Sequence, residues 1–229
     1  MASDHTLAFY LDGPMQAWGA SSRFQHRKTE SFPTKSGVIG LIAAALGIDK
    51  HAPDEADRLA PLAALEFSAY QVRDNSHARE VIRLVDFHTV GGGYDRTDPA
   101  GRLHITQKAS GGPSTTVITH RTYLTDARFI AVLAGEASLL LSCATALEDP
   151  KWGVWLGRKA CLPASPLSPI LADNPIQAVD RLLEKLDPQK SLTAELGQIQ
   201  ADGEGAWFQP DQPISFGKRE FTSRPVKGI

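Results

Sequence analysis

Two short stretches carry the residues best suited to chemistry: Leu11 to Gly19, LDGPMQAWG, and Phe32 to Leu41, FPTKSGVIGL. In the first, Gly13, Pro14, Gln16 and Trp18 follow directly on the apolar run Leu7 to Leu11, so a bent backbone, an amide and a large aromatic face meet at one strand end. Such groups suit a nucleotide, because an exposed ring stacks on a base and an amide reads its edge. In the second, Thr34, Lys35, Ser36 and Gly37 lead into an apolar helix, Val38 to Leu46. Hydroxyls, an ammonium and unpaired backbone N–H groups therefore gather where the helix dipole is positive, which favours an anion. Each stretch also has an ordinary structural use: Trp18 can cap a core, and Thr34 can cap the helix while Lys35 stays in solvent. No Gly directly precedes Lys35, and the GxxxxGK[ST] order of a nucleoside-triphosphate loop is absent.

Cations cluster in three segments. Arg23, His26, Arg27, Lys28 and Lys35 precede or open the first helix; Lys151, Arg158 and Lys159 surround WGVWLGRKA; Lys218, Arg219, Arg224 and Lys227 lie near the end. Asp49 to Glu66 and Glu184 to Glu204 are acidic, so a chain of net charge -2 can still present one positive face. Each cluster alone is more often just a solvated surface. The turn Gly157, Arg158, Lys159 is the most pointed, because Gly lets a backbone approach a phosphate while two cations flank it.

His88, His104 and His120, with Tyr123 and Lys159, are the groups that could serve acid–base chemistry on RNA. Their spacing matches no zinc pattern, no Ser or Cys nucleophile elbow is present, and a lone His at a strand end more often hydrogen-bonds or stacks. No catalytic residue, metal ligand or cofactor is therefore assigned. Cys143 and Cys161 lie far apart and outside any CxxC, which argues against a disulfide framework and for a reducing cytoplasm. No run approaches the roughly 18 apolar residues of a membrane span, and Met1 to Tyr10 lacks a signal-peptide pattern.

The elements that must position these groups follow from periodicity. The 229 residues are 42% hydrophobic and 22% charged, ordinary for a globular chain of one large domain or one domain with an appendage. Strands are predicted at Leu7 to Leu11, Phe67 to Arg73, Glu80 to Phe87, Ala127 to Ala134, Lys151 to Leu156, Ile214 to Gly217 and Glu220 to Val226, with Phe67 to Arg73 and Glu80 to Phe87 forming a hairpin. Helices are predicted at Ser36 to Ile48, Asp54 to Leu65, Glu136 to Leu147 and Pro175 to Leu186. Between Val90 and Thr119 a Gly-, Ser- and Thr-rich segment is too long for an ordinary connection; Leu103 to Gln107 and Thr115 to Thr119 alternate like the arms of a protruding ribbon. The succession strand, helix, strand, strand, insertion, strand, helix, strand approximates an α+β, ferredoxin-like or RNA-recognition-motif antiparallel sheet, a class that binds nucleic acid on or beside its sheet. The expected division is a sheet domain over 1–163 with an insertion at about 89–120, and a C-terminal extension over 164–229.

LDGPMQAWG, FPTKSGVIGLIAAALGI, DFHTV, the RTYLTDA stretch at Arg121 to Ala127 and WLGRKAC run in this order from Leu7 to about Pro163, and FTSRPV follows at Phe221 to Val226. Together they resemble the type I-E branch of Cas family five, within the RAMP superfamily of CRISPR proteins. The resemblance implies a non-catalytic RNA-binding subunit of the Cascade complex that caps the five-prime handle of the crRNA in antiviral defence. It further implies a β-hairpin thumb toward a CasC-type backbone subunit, contact with a CasA-type large subunit, and only indirect contact with target DNA. Carried onto this sequence, Gln16 and Trp18 would contact handle bases, and Thr34, Lys35, Ser36 and Gly37 would bind phosphate or base edges. Gly157, Arg158 and Lys159 would grip the RNA backbone, Arg224 would join them, and His88 and Arg121 would stand at the base of the thumb. Within the thumb, Tyr94, Arg96, Arg102 and Lys108 are contacts by their chemistry alone. Relatives in the type I-C branch supply the rival expectation, a metal-independent endoribonuclease working by 2′-OH attack and leaving a cyclic phosphate.

Overall fold

His5–Asp12 (β1) is apolar at successive positions, so both its faces must be covered, and in the computed structural model both are. Leu7, Phe9 and Leu11 point into the larger core, while Ala8 and Tyr10 point into a smaller one on the other side of the sheet. The structure describes residues 5–19, 25–74, 81–90, 117–189, 192–196 and 202–226. Tyr94, Arg96, Arg102 and Lys108, the expected Leu103 to Gln107 arm, Arg23, His104 and Lys227 lie outside those residues.

The central sheet holds five strands in the order β8 (Ile170–Ala172), β1, β7 (Arg128–Gly135), β4 (Glu66–Asp74) and β9 (Leu192–Leu196), with every neighbouring pair antiparallel. Register is set by apolar pairs: Leu7 and Phe67 both stand opposite Leu133. Helices α1 (Lys35–Ala45), α2 (Glu55–Ala64) and α3 (Ala137–Glu148) supply the larger core, through residues such as Val38, Ile42, Leu59 and Leu140. Helix α4 (Pro175–Leu186) starts where Asn174 Oδ1 accepts from the Gln177 N–H at 3.0 Å, with Pro at its first turn. Its Ala178, Val179 and Leu182 pack on Ala8, Tyr10, Ile130 and Val132. The face that an RNA-recognition motif leaves open is therefore covered here. Among the described residues, no helix is long and apolar enough to cross a membrane.

A second sheet is built on β6 (Val117–Thr125). Strand β5 (Ile82–Val90) pairs with it along its full length, while β2 (Met15–Gln16) and the parallel β3 (His26–Arg27) line its other edge. A hairpin β10 (Asp202–Ser215) and β11 (Glu220–Val226) closes the chain.

Two sequence expectations fail here. Strands β4 and β5 do not form a hairpin: β4 alternates buried and open positions and belongs to the central sheet, whereas β5 is exposed on both faces and pairs with β6. Residues Val117 to Thr119 of the expected second arm belong to β6 and stand opposite His88 to Val90. Lys151 to Leu156 is irregular; its apolar alternation serves a loop that returns Leu156 N–H to the Cys161 carbonyl at 2.8 Å, and β8 takes the edge position beside β1 instead.

Candidate nucleic-acid interface

The bend after β1 is internal. Trp18 and Gln16 are both 0% exposed. The indole Nε1–H donates to Gln16 Oε1 at 3.0 Å, and the Gln16 amide donates to the carbonyls of Leu11 at 3.1 Å and Ala127 at 2.6 Å. The amide hydrogens and the indole N–H are thus satisfied within the fold, which leaves no edge to read a base. The expectation that Gln16 and Trp18 contact bases is corrected accordingly. Gly37 belongs to the same arrangement: a Cβ there would lie 2.8 Å from Trp18 Cε3, so the missing side chain lets α1 close on the indole.

The turn at Thr34 to Gly37 does attract an anion, but the anion is the protein's own. Thr34 Oγ1 caps the helix by accepting from Gly37 N–H at 3.3 Å and from the Ser36 hydroxyl at 3.5 Å. The Lys35 backbone N–H donates to Asp211 Oδ2 at 2.8 Å, and its ammonium meets Asp202 Oδ2 at 2.9 Å. Arg224, expected among the RNA-binding cations, holds both carboxylates: its Nε and Nη2 donate to Asp211 at 2.7 and 3.3 Å, and its Nη1 donates to Asp202 at 2.7 Å. The guanidinium also lies over the Phe67 ring, 5.4 Å from its centroid. Two cations and two carboxylates leave the cluster formally neutral. Burial lowers the pKa of Lys35 despite the nearby Asp202. Burial also works against the charge on Arg224, yet the bonds to Asp211 and Asp202 outweigh it and hold its pKa above the usual value. Thr34, Lys35, Ser36, Gly37 and Arg224 are therefore corrected to structural roles in this fold. Nothing local in the sequence links Lys35 to acids 167 and 176 residues away.

The cations that face outward are elsewhere. Pairing of β3 with β6 sets His26 beside His120 and Arg27 beside Arg121. Arg27 and Lys28 are exposed, and Arg121 Nε donates to Thr119 Oγ1 at 3.1 Å. Arg158 binds three backbone carbonyls, of Thr122 at 2.8 Å, Arg27 at 2.7 Å and Lys28 at 3.2 Å, and lies over the Tyr123 ring, 4.7 Å from its centroid. Carbonyls orient a guanidinium without cancelling its charge. Lys159 is exposed, its ammonium 5.5 Å from the Trp155 ring centroid. Gly157 has φ +92, and a Cβ there would run into the Ala17 carbonyl oxygen. Among the described residues, none of Arg27, Lys28, Arg121, Arg158 and Lys159 has a carboxylate partner.

His88 and Arg121 occupy one face of the β5–β6 ribbon, with His88 Nδ1 3.5 Å from Asp86 Oδ2. The bend after β1 and the Gly157 corner lie against each other. The Ala17 N–H donates to the Leu156 carbonyl at 3.0 Å, joining the bend to the Gly157 corner, while the turn of α1 directs its one cation, Lys35, inward. The two-residue strand β3, which brings His26 and Arg27 against β6, was not predicted, since no pattern marks so short a pairing.

Comparison with known proteins agrees with the quoted motifs. The CRISPR-associated protein (Cas_Cas5) family matches residues 6–227. The Cascade subunit CasD of Escherichia coli (strain K12) is 32% identical over 190 residues, 81% of this chain and 75% of that protein. Among solved structures, a chain of a CRISPR RNA-guided surveillance complex superposes with a TM-score of 0.71 at 28% identity, covering 98% of this chain and 89% of the other. A crystal structure of a Cas protein gives 0.62 at 31% identity, covering 98% and 93%. With nearly its whole length matched by the family profile, the chain belongs to the Cas5 family of CRISPR-associated proteins.

Proposed function

We propose that this protein is a non-catalytic crRNA-binding subunit of a type I-E CRISPR surveillance complex. It caps the five-prime handle of the crRNA in the cytoplasm, lies against a CasC-type backbone subunit and a CasA-type large subunit, and meets target DNA only indirectly. The observation that carries the reading is the set of cations Arg27, Lys28, Arg121, Arg158 and Lys159, brought together from three distant segments without carboxylate partners among the described residues. Phosphates neutralise such a belt with release of counterions. The similarity to CasD and to a chain of a surveillance complex supports the same assignment. The order β8, β1, β7, β4 supports a ferredoxin-like core, from which the β5–β6 ribbon departs as the thumb. Because α4 covers the second face of that core, the RNA runs along the β3–β6 side.

The test is binding of labelled CRISPR repeat RNA to the purified chain over a salt series. A steep loss of affinity with salt, made shallower by Lys28→Ala and by Lys159→Ala, is expected. Affinity indifferent to salt would exclude phosphate recognition. Incubation of the same RNA in EDTA should leave it intact; cleavage lost on His88→Ala, His120→Ala or Lys159→Ala would make the protein a metal-independent endoribonuclease instead.

A further inference from the structure

One row of rings crosses the second sheet at a single register. Phe87 on β5 stands directly opposite His120 on β6, and His120 stands beside His26 on β3. The His26 and His120 rings are 5.3 Å apart at an interplanar angle of 15°, a parallel stack, and Phe87 meets His120 edge-on at 5.4 Å. Phe87 is 61% exposed and His26 is exposed. Among the described residues the row ends at β3, which pairs with β6. Val85 and Ile118, on the same face of the ribbon, are also open, and Arg27 and Lys28 follow His26 directly.

A stack of flat rings ending at a sheet edge beside unneutralised cations has the makings of a single-strand binding surface: rings for bases, charges for the backbone. We propose that the outer face of His26 receives an unpaired nucleobase, which continues the stack His26–His120 that Phe87 buttresses. This inference rests on the RNA-binding reading above and gives that site its base-recognition element. The stack tolerates any base, since every base has a π-face, so this element gives grip without strong sequence preference.

Two twelve-nucleotide single-stranded probes of equal charge test it on the full chain: oligoadenylate and its abasic counterpart. Wild-type protein should prefer oligoadenylate by about tenfold, as one base–aromatic stack provides. His26→Ala should abolish that preference while leaving abasic binding unchanged, and His26→Phe should keep it. Lys159→Ala should weaken both probes equally. Persistence of the full preference in His26→Ala overturns the proposal, as does no preference in the wild type. If His26→Ala and Phe87→Ala spare both probes but release the chain from the assembled complex, the row is a protein contact and the proposal fails. Failure of both probes and of repeat RNA to bind would remove the RNA-binding reading as well; repeat RNA that binds equally with and without His26 removes the stacking site alone.

Discussion

At the start of α1, Lys35 and Arg224 meet the carboxylates of Asp202 and Asp211 at 2.7 to 2.9 Å, and both cations are nearly sealed from water. At the Gly157 to Lys159 corner, the partners among the described residues are three carbonyls and the Tyr123 ring for Arg158 and the Trp155 ring for Lys159. Both regions combine a glycine, a cation and a nearby indole. A partner of opposite charge makes the first a rivet for the C-terminal hairpin; neutral partners leave the second with its charge available to a ligand. The difference lies in what distant sequence brings to each, and a basic residue in a turn announces neither outcome by itself.

The largest effect expected from breaking this contrast is at the inner cluster. Asp211→Ala leaves Arg224 without its two-pronged partner and should cost about 3–5 kcal/mol, read as a lower urea midpoint, with repeat-RNA affinity of the folded fraction retained. An intact midpoint with weakened RNA binding would move the RNA site to α1. Trp18→Ala should cost a similar ~3–5 kcal/mol by opening a cavity under Gly37, again without a specific loss of RNA affinity at temperatures where the variant stays folded.

A smaller effect concerns the core on which the inner region rests. Burial pushes the Cys143 thiol from 9.0 up to about 11. The folded state therefore keeps a proton that the unfolded chain loses. The associated stability is fully present below pH 9.0 and is lost as pH rises through about 11. The loss of urea-unfolding free energy between pH 8 and 11 should be smaller in Cys143→Ala than in wild type, by up to about 2–3 kcal/mol. The smallest effect belongs to the outer region: Lys159→Ala should leave the melting temperature unchanged and reduce the magnitude of the logarithmic salt slope of RNA binding by about 0.7.

Local signals were legible where one segment suffices to decide the structure. Helix α4 runs from Pro175 to Leu186 as its Asn174 cap and Pro start require, and β1, α1 and α3 lie within a few residues of their apolar periodicity. Pairing was not legible, because β5 and β6 share no local mark that excludes β4, and β8 is three residues long. The same limit governs the site. Gln16 and Trp18 look like equipment for a base until Leu11, Ala127 and Gly37 are known to enclose them. Arg158 was singled out from its turn, whereas its three carbonyl partners, on β6, on β3 and just after β3, are laid down more than thirty residues earlier.

The peptide of Ala17 occupies the space a methyl group on residue 157 would need, with φ +92 there adding a second bar to any side chain. The aim of Arg158 and Lys159 is accordingly governed by a clearance of one hydrogen atom between two backbones. Gly157→Ala would swing both charges off target without altering a single charged residue, so affinity for a polyanion can be lost here through steric bulk alone.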